Sequence, residues 1–208
     1  MQENNFEKAY SEAFDLARRQ LLNCDLALCC ESSGAVLLEQ TAQSATVELQ
    51  YLNTAVRLVL PACSCTTVNQ VELHVWDKIL LLHYLAAGGI QPVKTREVGF
   101  KELKSAALYF GLFEKRCLNP LLKAFGATPE LLLKCADDLH GRSIAVGDCA
   151  VRLQVLPKVP ISIVIWKGDE EFAASASILF ESSIEQYLSA EDIVVICQRM
   201  VLKLIGKW

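Results

Sequence analysis

The run Lys167-Gly168-Asp169-Glu170-Glu171 sets three consecutive carboxylates directly behind a strongly apolar stretch, Ile161 to Trp166. Carboxylates grouped in this way supply oxygen ligands for a divalent cation. They also supply acid–base chemistry when one carboxyl is held at a raised pKa. Glu181 closes the next alternating stretch, so a hairpin would return it toward the acidic run. A plainer reading competes, because Gly168-Asp169 suits a tight turn and charges at a hairpin tip are ordinarily solvated. Alternation past that turn predicts Glu170 and Phe172 on one face and Glu171 on the other.

Thiols are the second source of chemistry. Nine cysteines stand at 24, 29, 30, 63, 65, 117, 135, 149 and 197. Their odd number and their apolar neighbours argue for small buried hydrophobes rather than a disulfide framework. Cys63-Ser64-Cys65, just after Pro61, presents two thiols on one side of a loop and is the candidate metal pair. Cys29-Cys30, read as strand neighbours, point to opposite faces and chelate poorly. The three histidines, His74, His83 and His140, share no zinc-binding spacing. His83 and Tyr84 interrupt the apolar Leu80–Leu85 run, where they serve either as pocket-lining groups or as satisfied helix residues. Neither phosphate-cradling glycine loop nor a serine nucleophile elbow is present.

The elements that must position these residues follow from periodicity. Ala9, Tyr10, Ala13, Phe14, Ala17 and Leu21 continue a helical stripe begun at Phe6. From Ala27 to Cys65 the period shortens to that of an antiparallel meander, with turns at Ser32-Ser33-Gly34 and Leu52-Asn53-Thr54. Val75 to Ala87 reads as a buried helix ended by Gly88-Gly89 and Pro92. Lys104 to Phe125 reads as a helical region that Asn119-Pro120 must kink or restart. Thr128-Pro129-Glu130 reads as a capped helix start. Strands follow over 151–155, 161–165 and 174–180, and a last helix begins at Ser189. Ser182-x-x-Glu185 and Ser189-x-x-Asp192 both have capping-box spacing. Helices and strands are segregated, which predicts an α+β fold: antiparallel sheets packed on a cluster of helices, flanked by N- and C-terminal helices. One domain over 1–208 is expected, with lobes at 1–74 and 75–208 as the natural subdivision.

Composition excludes some classes. The 208 residues are 52% hydrophobic and 21% charged, with a net charge of −4. Lys and Arg never run longer than two, as at Arg18-Arg19, so no basic field favours nucleic acid. The greasiest stretch, Ile79 to Ile90, is too short to span a bilayer. The polar, acidic start Met-Gln-Glu-Asn-Asn lacks the pattern of a secretory leader, so a cytoplasmic protein without membrane partners is expected.

From His83 onward the chain resembles domain-of-unknown-function family 3786, a family of anaerobic bacteria and archaea. The likeness is carried by Leu82-His83-Tyr84-Leu85, Phe100-x-Glu102-Leu103, Pro120-Leu121 with Phe125-Gly126, and Pro157-x-Val159-Pro160. It continues through Trp166-x-Gly168-Asp169-Glu170-Glu171-Phe172, Ile178-Leu179-Phe180-Glu181 and Tyr187-Leu188-x-Ala190-Glu191-Asp192. The chain departs from the family pattern at Lys104-Ser105-Ala106-Ala107, where the pattern has glycines, and at Glu181, where it has Asp. The resemblance implies a setting in anaerobic redox or one-carbon metabolism and assigns no reaction or cofactor. The leading expectation is a binding or accessory module for a small molecule or cofactor. Its pocket would be lined by His83, Tyr84, Trp166, Asp169, Glu170, Glu171 and Glu181, with a redox protein as a possible partner class. The alternatives are an enzyme using the acidic cluster, and an interaction module that forms homo-oligomers through an exposed sheet edge.

Overall fold

The computed structural model describes residues 2–87 and 95–207. It is an α+β protein with two antiparallel sheets, helices packed on them, and a helix at each end. The chain divides into two compact units, Met1–Pro92 with Gln186–Leu188, and Val93–Glu185 with Ser189–Trp208. Among the described residues no helix is long and apolar enough to cross a membrane.

The first unit opens with helix α1 (Gln2–Leu22), which buries Ala17 and Leu21. Where the sequence suggested the meander to begin, a short helix α2 (Leu26–Ser33) forms instead. The side chain of Asp25 accepts hydrogen bonds from the Ala27 and Leu28 amides and so starts it. Gly34, at φ 74°, ends it in the left-handed region. Cys29 and Cys30 therefore sit on a helix, both buried. The meander proper is β1 (Val36–Gln40), β2 (Ala45–Tyr51), β3 (Thr54–Leu60) and β4 (Ser64–Thr67), paired in that order. Val47, Leu49, Val56 and Leu58 face the core, and Glu48 pairs with Arg57 on the wet face. Tyr51 stands opposite Thr54, so the turn is the two residues Leu52 and Asn53, both at positive φ. That is the hairpin geometry whose twist matches the strands.

Helix α3 (Val75–Ala86) packs on α1 and belongs to this unit, which therefore runs past residue 74. Leu80, Leu81, Leu82, Tyr84 and Leu85 are all buried, as an almost uniformly apolar helix requires. Each such leucine contributes roughly 2 kcal/mol of burial free energy. The expected stop at Gly88-Gly89 and Pro92 lies outside the described residues.

The second unit is a five-stranded sheet of β5 (Glu97–Gly99), β6 (Arg142–Ser143), β7 (Cys149–Leu156), β8 (Val159–Trp166) and β9 (Ser175–Glu181). Their order is β5-β9-β8-β7-β6. Ile161, Ile163, Ile165, Ile178 and Phe180 share the face that forms the core. The short edge strands β5 and β6 carry too few residues to show a period, so side-chain spacing does not announce them.

The long helical stretch divides into α4 (Ala106–Phe113), a π turn at Glu114–Leu118, and α5 (Asn119–Phe125). Pro120 lacks the amide that would bond to Arg116, and the wider turn just before it absorbs the break expected there. Helix α6 (Leu131–Ala136) follows Thr128-Pro129, but the Thr128 backbone carbonyl, not its hydroxyl, accepts the first bond, from Leu131 N–H. Helix α7 (Ala190–Leu204) starts as the spacing predicts, with Ser189 and Asp192 closing a reciprocal capping box. The similar spacing at Ser182-x-x-Glu185 makes only a 3-10 segment, and the Glu185 carboxylate instead accepts from the Lys104 amide.

Candidate functional site

The acidic run forms a compact turn. Asp169 N–H donates to the Phe172 carbonyl at 2.9 Å, and Asp169 Oδ1 accepts from the amides of Phe172 at 2.7 Å and Glu171 at 2.9 Å. Those two amides, Phe172 first, hold the Asp169 carboxyl below the usual carboxylate range. A carboxylate so used stays ionised and keeps the backbone bent, the reverse of a proton donor with a raised pKa. Gly168 is required here, since a Cβ at this position would meet Ala174 N at 2.7 Å and Phe172 O at 3.0 Å. Residues 167–174 belong to no strand and bend at 170–172, so the strand alternation expected of Glu170, Glu171 and Phe172 does not operate, and all three are exposed.

The hairpin does not return Glu181 to this turn. Ser175 faces Trp166 and Phe180 faces Ile161, so β9 leaves the turn at Ser175 and reaches Glu181 only at its far end. At about 3.3 Å per residue that separation is on the order of 20 Å. Glu181 instead ion-pairs with Arg152, across β8, and stands opposite Glu97 in the register with β5. That pairing offsets the repulsion between two facing acids. Trp166 is half-exposed at the end of β8, and the amide of the next residue, Lys167, donates to Asp148 Oδ2 at 2.8 Å.

His83 and Tyr84 belong to the first unit and are described within it. Tyr84 is fully buried; its hydroxyl donates to the Ser33 carbonyl at 2.6 Å and its ring lies 5.5 Å from that of Tyr187. The hydrogen bond to Ser33 anchors α2 to α3. His83, on the same helix, is half-buried. Cys63 and Cys65 are both buried, and Cys65 Sγ donates to the Cys63 carbonyl at 3.6 Å. Burial pushes the Cys63 thiol up to about 11 and the Cys65 thiol up to about 12, so both stay protonated at neutral pH. Among the described residues no three His, Cys, Asp or Glu side chains converge as a metal site requires.

Two arrangements escaped the sequence. Asp77, in the first turn of α3, is fully buried, and its Oδ1 accepts from the Tyr51 hydroxyl at 2.6 Å. An acid inside an apolar helix beside an aromatic strand end is the available signal, and it is weak without the fold. The pair ties α3 to β2.

The second is a cleft of about 460 Å³ in the first unit. One wall is apolar, from Leu21, Leu22, Leu26, Leu60 and Pro61. The other is the β1–β2 turn, with Gln40, Thr41, Gln43 and Ser44, and among the described residues of the lining Asp25 contributes the only charged side chain. Thr41 fixes that turn: its Oγ1 accepts from the Ser44 amide at 3.0 Å and the Gln43 amide at 3.2 Å. The hydroxyls of Thr41 and Ser44 are themselves 3.2 Å apart. Cys24, exposed at the cleft, donates its thiol to the Gln20 carbonyl at 3.2 Å.

No curated protein and no solved structure matches the chain. The model of one family, described as a domain of unknown function (DUF3786), matches residues 25–203, and so takes in both sheets, the acidic turn and the part of the cleft from Asp25 onward. The match extends the likeness seen from His83 onward back to Asp25, the N-cap of α2. The chain belongs to the DUF3786 family.

Proposed function

We propose that the protein is a non-catalytic binding module and that its first unit takes a small molecule in the cleft beside Thr41. The observation that supports this is the lining itself: leucines on one side, side-chain amides and hydroxyls on the other, and Asp25 as the sole charge among its described residues. Concave sites of this size with an apolar wall and a few placed polar groups are where small molecules bind. Among the described residues of the lining no side chain is cationic, and Arg18, at its edge, donates to the Pro61 carbonyl at 3.4 Å, so Asp25 is the charge that a ligand meets within it. The ligand class is therefore a neutral or cationic molecule with an apolar body. The setting suggested by the family resemblance, anaerobic redox or one-carbon metabolism, suits an accessory role in which such a molecule is held rather than transformed.

A panel of alkylamines, alkyl alcohols and alkyl carboxylates of matched chain length tests this by thermal shift, because a ligand that binds only the folded state raises the midpoint. The amine and the alcohol raise it and the carboxylate does not. Leu22→Arg abolishes the response, since Leu22 is already 42% exposed and the substitution places a bulky cation on the wall without disturbing the core. Equal responses from all three classes, or a response unchanged by Leu22→Arg, would overturn the assignment.

A further inference from the structure

Asp25 has two places in the first unit: it lines the cleft and it caps α2. The cap uses one oxygen, Oδ1, which accepts from the Ala27 amide at 3.0 Å and the Leu28 amide at 3.2 Å. Among the described residues the other oxygen, Oδ2, makes no hydrogen bond and no ion pair. The side-chain amides of Gln40 and Gln43, on the β1–β2 turn, make none either.

These three groups share a chemistry. A carboxylate only accepts, and each glutamine amide carries an accepting oxygen. The cleft therefore holds three accepting side chains, one of them charged, beside its leucine wall. A primary ammonium presents three N–H donors and matches that set. A hydroxyl presents one donor, and a quaternary ammonium presents none.

The surrounding charges do not reverse the choice. On α1, Arg18 is engaged by Asp15 at 3.6 Å and donates to the Pro61 carbonyl, and Arg19 Nε donates to the Asp15 carbonyl at 3.2 Å. Glu39, next to Gln40, stands opposite Thr46, and Glu31 lies about 9 Å further along α2. Glu48 and Arg57, further along β2 and β3, pair with each other at 3.0 Å. Helix α3 approaches at Ala86, whose carbonyl is 3.8 Å from Cys24 Sγ, and His83 is the titratable group one turn before it. Apart from the Glu48–Arg57 pair, two arginines thus stand against Asp15, Glu31 and Glu39, so the field around Asp25 is not basic. The partial positive charge at the start of α2 disfavours a cation by about fivefold at most. A charge-assisted bond to a carboxylate outweighs it, at about tenfold or more.

We infer that Asp25 is the specificity-determining residue of the cleft and selects a primary ammonium on an apolar body over the corresponding alcohol. The inference rests on the cleft being a small-molecule site and narrows its ligand class from neutral or cationic molecules to primary amines.

The test is a titration of the full chain at neutral pH with hexylamine, hexan-1-ol and hexyltrimethylammonium, read by amide chemical shifts in the β1–β2 turn. Hexylamine binds about fivefold or more tighter than hexan-1-ol, and hexyltrimethylammonium, a cation without N–H donors, loses that advantage. Asp25→Asn keeps an oxygen for the cap, since Asn and Asp serve equally at that position, so the melting midpoint holds while the preference for amine over alcohol disappears. Asp25→Ser, a second neutral cap, loses the preference in the same way. Equal binding of amine and alcohol by the unchanged chain, or an amine preference that survives both substitutions, would overturn the inference and leave the cleft as a site. Hexyltrimethylammonium binding as tightly as hexylamine would overturn it too, because charge alone would then suffice. So would saturable binding of hexanoate that Arg18→Gln abolishes, which would move the deciding charge to the edge of the cleft. No saturable shift with any of these probes would overturn both the inference and the cleft reading beneath it.

Discussion

The turns at Thr41 and at Asp169 are built alike and face different surroundings. In each, one side-chain oxygen accepts two backbone amides: Gln43 and Ser44 at Thr41, Glu171 and Phe172 at Asp169. The Asp169 turn has the more reactive composition, yet its carboxyl is committed to its own backbone and its flanking glutamates are exposed. The Thr41 turn is chemically modest, but Leu21, Leu22 and Leu60 stand across from it and make a cleft. A turn becomes a site through what faces it, and its own residue types do not decide the matter.

The sharpest way to break this contrast is to remove the facing wall. Leu21→Ala, at a position almost wholly buried, costs about 3 kcal/mol in denaturant unfolding and weakens any ligand response of the cleft. A loss below about 1 kcal/mol would mean that the wall contributes little to the fold. Next in size is Asp77→Ala, which removes the buried bond that the Tyr51 hydroxyl donates to Asp77 and costs about 2 kcal/mol. Thr41→Ala follows at about 1 kcal/mol, the net worth of the bonds that hold its turn, with a weaker ligand response. Its counterpart, Asp169→Asn, keeps the accepting oxygen, so it moves the melting midpoint by less than about 2 °C and leaves the ligand response unchanged.

The two turns also differ in acid. The folded state holds the Asp169 carboxyl below its ordinary value of 3.8, so the unfolded chain binds the proton first as pH falls. Stability from this group is therefore present above pH 3.8 and is lost as pH drops below it. In Asp169→Asn that component of the acid transition is absent, whereas Thr41→Ala leaves it in place. Unfolding curves of both variants between neutral pH and pH 2 make the comparison.

Much of the fold was legible because long segments carry their own period. The helix caps at Ser189 and Asp192, the buried α3, and the three long strands of the second sheet follow from side-chain spacing alone. Helix α2 was missed because eight residues are too few for a clear period, and Ser32-Ser33-Gly34 reads equally as a turn or as a helix end. The site was less legible. The acidic run was visible, but its hydrogen bonds to its own amides were not. Glu181 was expected beside it because a hairpin was foreseen without regard to which end of β9 that residue occupies. The cleft joins residues 21–26, 40–45 and 60–61, three segments with no shared motif, and only the chain's packing brings them together.

The central claim is that small-molecule binding belongs to the Thr41 cleft and not to the acidic turn. Amide chemical-shift mapping of the labelled full chain, titrated with an alkylamine, tests it most directly. The account predicts saturable shifts at residues 21–26, 40–45 and 60–61, with residues 166–172 unmoved. Saturable shifts centred on Asp169 to Phe172, with the cleft silent, would contradict it.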